Sequence, residues 1–247
     1  MGNLVVSFSG GKDSTALLLR LLELGEDVHS AVFFDTGWEF PQMYDHIAKV
    51  EEYTGMEIVT LKPSCSFDYH LYDRPVQRRK KGDTQNGQYY KFGYGWPQMG
   101  SNGRWCTRIK INATSQYAKT HDATEAIGFA SDESERCHSE EVKGRDCVFP
   151  MVEWGMTEAD ALAYCMERGF TWGGLYEHFD RVSCYCCPLK GSPRQWQLIR
   201  EHYPEQWAEM LRKDAAIDNN RGFYGFKTVH ELEAWFAYSG SLMAHAV

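Results

Sequence analysis

The chain has no apolar run long enough to cross a membrane. Its beginning lacks both a charged segment followed by an apolar core and the Ser or Thr at position 6 that N-myristoylation wants, where Val6 stands instead. These absences predict a cytoplasmic protein without a membrane partner. A net positive charge is also missing. The formal charge of −8 argues against a surface coated with nucleic acid, while leaving room for a local basic groove. In a reducing compartment the eight cysteines are expected as thiols or metal ligands and not as disulfides. What is present, 247 residues that are 43% hydrophobic and 14% aromatic, suffices for one α/β domain with appended helices and would be cramped as two independent domains.

The segment from Asn3 to Leu24 organises the rest. Leu4 to Phe8 reads as a buried strand of a parallel sheet, and Ala16 to Leu22 as a helix beginning near Thr15. Between them, Ser9-Gly10-Gly11-Lys12-Asp13-Ser14 forms a tight turn. Two glycines let the backbone approach an anion, the helix N-terminus offers it free amides, and Lys12 adds a positive charge. A phosphate is expected there. The Walker pattern is excluded, because Asp13 follows Lys12 where that loop wants Ser or Thr, and Val6 stands where its first glycine belongs. A helix entry merely capped by Ser9, Asp13 or Ser14 is the plainer alternative, but capping requires neither the glycines nor the lysine.

The hexapeptide resembles the SGGxDS loop of the PP-loop superfamily, which contains ATP pyrophosphatases and sulfonucleotide reductases. That resemblance implies a Rossmann-like α/β fold, a mostly parallel sheet with helices on both faces. It also implies an adenine nucleotide, ATP or (P)APS with Mg²⁺, bound by Ser7, Ser9, Gly10, Gly11, Lys12, Asp13 and Ser14. Lys12 and Asp13 are the implied catalytic residues.

Val28 to Phe34 predicts a second strand, ending at Asp35-Thr36-Gly37, where ligands collect at the carboxyl end of a parallel sheet. The same three residues suit a simple turn before a helix from Pro41 to Gly55. Followed by Phe40-Pro41, they are similar to a segment of the phosphoadenylyl-sulfate (PAPS) reductase family. Glu57 to Leu61 makes a third strand. From 62 to 105 the pattern turns irregular and is read as an inserted lid or substrate loop, with glycines at 82, 87, 93, 95, 100 and 103. It carries the one dense basic run, Arg74, Arg78, Arg79, Lys80 and Lys81, among aromatics Tyr89, Tyr90, Phe92, Tyr94 and Trp96. Such a run either receives a phosphorylated or nucleic-acid substrate or is a solvated helix end.

A helix opens at Arg104, and Thr124 to Phe129 predicts another strand. The turn after it, with Gly128, Glu133 and Ser134, resembles the ligand-binding turn of PAPS reductase-like proteins, with Ala130 where that family has arginine; an acidic surface turn is the alternative. Val148 to Met151 reads as the last strand, and Thr157 as the N-cap of a helix reaching Arg168. The order Phe149-Pro150, Trp154, Asp160, Leu175-Tyr176, Arg181, Cys184-x-x-Cys187-Pro188 is similar to the C-terminal half of the same family, including relatives involved in DNA phosphorothioation. Residues 1–190 are therefore expected as the α/β domain and 191–247 as a helical extension.

Cys184, Cys186 and Cys187 lie within four residues, close enough for one loop to give a metal two or three thiolates. Cys106 is the expected fourth ligand, since its segment resembles the place where adenylyl-sulfate reductases carry a Cys pair. Four thiolates suit a [4Fe–4S] cluster or zinc, and the resemblance favours iron–sulfur. The PP-loop resemblance implies attack of an acceptor on the α-phosphorus of ATP while the loop holds the leaving pyrophosphate. The first expectation is accordingly an ATP pyrophosphatase of sulfur transfer, with a small molecule or nucleic acid as sulfur acceptor. A PAPS or adenylyl-sulfate reductase is the second, disfavoured by Ala130 and by the lack of a cysteine after Cys187. A non-catalytic nucleotide-binding subunit is the third. A sulfur donor or redox protein and a homo-oligomer are allowed as partners.

Overall fold

Three consecutive apolar side chains, Leu4-Val5-Val6, have no face to offer water, and they become the middle of a sheet covered on both sides. In the computed structural model, which describes residues 2–79, 82, 84–98, 104–182, 184–190, 192–218, 222–225 and 227–244, the chain forms two compact units. One comprises Met1–Pro63 with Thr107–Cys184, the other Ser64–Cys106 with Tyr185–Val247. Lys80, Lys81, Gly100 and Gly103 of the basic and glycine-rich stretch lie outside the described residues.

The first unit begins with β1 (Leu4–Ser7), α1 (Lys12–Glu23), β2 (Val28–Phe34), α2 (Pro41–Thr54) and β3 (Ile58–Leu61). The intervening segment holds α3 (Phe67–Tyr72), β4 (Pro75–Gln77) and β5 (Tyr89–Phe92). Then come α4 (Trp105–Thr120), β6 (Thr124–Ala126), β7 (Cys147–Val148), α5 (Pro150–Glu153), α6 (Glu158–Glu167) and α7 (Leu175–His178). The second unit closes with α8 (Pro193–His202), α9 (Pro204–Ala215) and α10 (Val229–Ala244). No described helix is long and apolar enough to cross a membrane.

Five strands of the first unit pair in parallel in the order β3-β2-β1-β6-β7. The strand order therefore reverses between β1 and β6, which opens a crevice at their carboxyl ends where this class of sheet binds ligands. α1 buries Leu17, Leu18, Leu19 and Leu21 and packs against α6. It starts three residues before the expected Thr15, which puts Lys12 and Asp13 in its first turn. Pro41 opens α2, and Gly55 closes it in the left-handed region at φ 68°. Thr157 caps α6 in a reciprocal box with Asp160.

The last strand departs from expectation. β7 ends at Val148, and the predicted strand residues Pro150 and Met151 begin α5 instead. Proline has no N–H for a ladder, whereas its fixed φ suits a first helical turn.

In the second unit, the stretch expected to be irregular contains α3 and the antiparallel β4–β5 hairpin. It shares a core with the C-terminal helices. Trp96 Nε1 donates to Asp214 at 2.8 Å, the Trp96 and Trp196 rings meet Phe223 edge-on at 5.0 and 4.7 Å, and the buried Lys213 pairs with Asp68 and Glu209. A buried ammonium is tolerated only when paired, so Lys213 ties α9 to α3. The insertion and the extension, read separately from sequence, form one compact unit.

Candidate functional site

The turn after β1 is built to be narrow. Gly10 lies at φ +76°, and a Cβ there would come within 2.8 Å of Met43 Cε. Ser9 N donates to Ser14 Oγ at 3.1 Å, and Ser14 Oγ donates to the Gly11 carbonyl at 3.1 Å, so the two serines close the loop on itself. Gly11 is the N-cap of α1 without any side-chain cap. From further along the chain, Trp172 Nε1 donates to the Gly10 carbonyl at 2.7 Å, and Lys12 N donates to the Tyr176 hydroxyl at 2.7 Å. Across the strand-order reversal, Gly128 follows β6. A Cβ at Gly128 would sit 3.2 Å from the Asp13 carbonyl and the Ser14 nitrogen, closer than nearly any real side chain packs. Gly128 thus meets the first turn of α1 backbone to backbone.

Charge gathers at the same place. Lys12 is 5% exposed, and its ammonium bonds both Asp13 oxygens at 3.0 Å and Glu158 at 2.7 Å. Burial pushes the Asp13 acid above its ordinary value, against the pull of Lys12 and with help from the Glu158 and Glu133 charges. Burial also acts to raise Glu158, but the Lys12 hydrogen bond and charge, Arg181 and a hydrogen bond with Glu133 outweigh it and hold Glu158 low. Glu133 further accepts from Arg136 at 2.6 Å, and the Arg136 guanidinium lies 4.1 Å above the Phe129 ring. Lys12, Arg136 and three carboxylates therefore share the loop's flank.

The other expected nucleotide residues divide. Ser7 donates to the buried Glu125, which also pairs with Arg145 at 2.6 Å, so Ser7 serves the β1–β6 junction. Asp35 closes its own turn, accepting from Gly37 N at 2.9 Å and the Tyr44 hydroxyl at 2.8 Å. Thr36 Oγ1 donates to Glu39 at 2.9 Å and accepts from Trp38 N. Ser134 lines a separate cavity of about 460 Å³ with Cys137, His138 and Phe149. Ala130 is wholly buried.

The expected metal ligands are divided between the two units. Cys184 Sγ lies 3.4 Å from Glu39 Oε1, 3.5 Å from Thr36 Oγ1 and 3.6 Å from Lys110 Nζ, so a carboxylate, a hydroxyl and an ammonium occupy its surroundings. Cys106, Cys186 and Cys187 belong to the second unit. Among the described residues no three His, Cys, Asp or Glu side chains gather in a way that could hold a metal.

Glu158, Tyr176 and Trp172 were not among the sequence candidates. Glu158 had a legible signal, an acid in the first turn after the cap Thr157. Tyr176 and Trp172 contact the loop through bonds that span more than 160 residues, with no local signature.

A model of the phosphoadenosine phosphosulfate reductase domain matches residues 3–190. An uncharacterised protein of Methanocaldococcus jannaschii is 27% identical over 231 residues, covering 87% of this chain and 42% of its own length. The chain spans about half the length of the curated relatives it matches. Among solved structures, the U34-tRNA thiolase NcsA from Methanococcus maripaludis, with its [4Fe–4S] cluster, is similar at 13% identity and a TM-score of 0.47, covering 86% of this chain and 71% of that one. A PAPS reductase from Candida auris, in a phosphate complex, is similar at 18% identity and a TM-score of 0.45, covering 72% and 78%.

Proposed function

Because the chain belongs to the phosphoadenosine phosphosulfate reductase domain family, we propose that its loop from Ser9 to Ser14 binds the phosphates of ATP and that the protein activates a sulfur acceptor with release of pyrophosphate. The observation that carries this reading is the close approach, at the strand-order reversal, of Gly128 after β6 to the Asp13–Ser14 backbone in the first turn of α1, directly after the Gly10-Gly11 turn that follows β1. A Cβ at Gly128 would press on that backbone at 3.2 Å, and the helix end favours negative charge.

Lys12 supports a polyphosphate. Its ammonium is held by Asp13 and Glu158, and an incoming phosphate competes with those carboxylates for it. The Lys12 position is thus set before binding, which lowers the ordering cost of catalysis. Mg²⁺ needs only one or two carboxylates besides the phosphates, and Asp13 and Glu133 are at hand. The acceptor supplies the nucleophile at the α-phosphorus, so the protein needs none of its own. A sulfated nucleotide is the second reading, and Ala130 weakens it, since this buried methyl replaces the guanidinium expected to bind the extra anionic group.

Calorimetric titration with MgATP tests the proposal. Saturable binding is expected, lost in Gly128→Val and at least about tenfold weaker in Lys12→Ala, with unchanged circular dichroism in both. Thiol-dependent sulfite release from PAPS by a protein that ignores ATP would replace this reading with the reductase.

A further inference from the structure

At the β4–β5 hairpin, arginines collect without an acid partner among the described residues. A cavity of about 550 Å³ opens between it and α3, lined by Tyr69, Arg74, Gln77, Arg79, Tyr89 and Tyr94 among others, with no carboxylate among the described residues of its wall. Arg74 lies 5.5 Å over the Tyr94 ring and 3.4 Å from His70 Nδ1, and Arg78 lies 5.3 Å over the Tyr90 ring. Among the described residues, none of Arg74, Arg78 and Arg79 is within salt-bridge distance of an acid. With a formal charge of −8, acids are abundant in this chain, so three guanidiniums without an acid partner, two of them over rings, are a selective arrangement.

The aromatic side chains are equally unusual. Tyr89 is 63% exposed, Tyr90 47% and Phe92 62%, three large rings on one four-residue strand. Such rings are costly to leave in water unless a flat partner covers them. The wall behind them is firm. Gly93 lies at φ +68° with its Cβ position only 2.2 Å from the Leu71 carbonyl, and Tyr94 N and Gly95 N donate to His70 and Leu71 carbonyls at 2.8 and 3.1 Å. The hairpin is thereby pinned to the end of α3. Burial holds His70 below its ordinary pKa, so the positive charge in the cavity comes from the arginines.

We propose that this hairpin is a docking surface for single-stranded nucleic acid, with an unstacked base against Tyr89 in the cavity and backbone phosphates on Arg74 and Arg79. Guanidiniums with no acid select an anion, and exposed rings select a flat π face; a single strand offers both, whereas a duplex hides its bases and a phosphopeptide lacks a regular series of flat faces. The surface belongs to the unit without the glycine loop, so it stands or falls independently of ATP binding.

Fluorescence anisotropy of the full chain with labelled twelve-nucleotide DNA and RNA strands, without ATP and over a series of salt concentrations, tests it. Both arms are expected to bind, and any preference between them reads the sugar. Tyr89→Ala should weaken binding about tenfold, the loss of one stacked base. Arg79→Gln should make the log–log salt slope shallower by about 0.7, one phosphate contact on a single strand. Both residues are exposed, so the fold is not at risk. Absence of binding, equal binding of a duplex, tighter binding of a phosphotyrosine peptide, or affinities and slopes unchanged in both variants would overturn the proposal, while MgATP titration of the same samples reports the glycine loop separately.

Discussion

Positive charge is managed in opposite ways at the glycine loop and at the β4–β5 hairpin. In the sheet unit Lys12 is buried and held by Asp13 and Glu158, its position decided before any ligand arrives. In the hairpin unit Arg74 and Arg78 lie over rings, and no acid lines the cavity that Arg79 enters. The first pattern makes a cation part of the folded architecture; the second leaves cations with their attraction unspent at the surface. A residue of the first kind should therefore report on stability and binding together. One of the second kind should report on binding alone.

The glycines give the strongest test of how far each unit depends on close backbone approach. Gly93→Ala in the hairpin unit puts a Cβ against a carbonyl at 2.2 Å in a left-handed conformation, and it should cost about 3 kcal/mol or more and abolish oligonucleotide binding. Gly128→Ala in the sheet unit meets backbone at 3.2 Å and has no left-handed strain, so about 1 kcal/mol is expected. Urea unfolding followed by tryptophan fluorescence measures both. Equal losses would break the contrast.

Removing a cation sharpens it. Lys12→Ala leaves two half-buried carboxylates without their partner and should destabilise by about 2 kcal/mol, whereas Arg79→Gln should stay within about 0.5 kcal/mol of the parent. A similar loss of unfolding free energy in both would show that Arg79 is as much a structural cation as Lys12.

Acid separates the units next. Burial, assisted by Lys49, lowers the His46 pKa from 6.5 to about 3, and His46 bonds Thr15 of α1 at 2.9 Å. The unfolded chain then binds the proton that the folded one refuses, so stability is complete above pH 6.5 and falls as the pH drops toward 3. The slope is expected to approach about 1.4 kcal/mol per pH unit. His70 in the hairpin unit shifts in the same direction, from burial first and Arg74 second. Unfolding midpoints at pH 7, 6 and 5 should fall steeply in the parent and distinctly less in His46→Gln.

Helix caps give the smallest expected effect. Thr157→Ala removes one half of the capping box of α6, and Ser66→Ala removes the side chain that accepts from Tyr69 N at the start of α3. Each should cost about 1 kcal/mol. Amide hydrogen exchange should show the loss confined to the first turn of the helix concerned, α6 in one case and α3 in the other.

Much of the sheet unit was legible in advance. β2 was expected at its observed limits, α2 and β3 within a residue, and the Thr157 cap as found, because apolar runs, Pro41, Gly55 and a capping threonine act on their immediate neighbours. The errors arose where two local signals competed. Val148-Phe149-Pro150-Met151 is apolar enough for a strand, but the proline decided for a helix. Between 62 and 105, six glycines obscured the short elements α3, β4 and β5. The cysteines were legible only as a group. Nearness in sequence says that thiols are available, and it does not announce the partners Glu39 and Thr36 that lie beside Cys184.

From the sequence by itself came the strand, the glycine turn and the helix that follow one another at the start of the chain, since φ requirements and apolar periodicity are satisfied within a few residues. Only the tertiary structure brought Glu158 to Lys12, Tyr176 and Trp172 to the turn's backbone, and the insertion into one unit with the C-terminal helices. The reason is physical. An ion pair or a buried hydrogen bond forms with whatever partner packing delivers, and packing joins residues by complementary shape over separations at which the local sequence carries no trace of the partner.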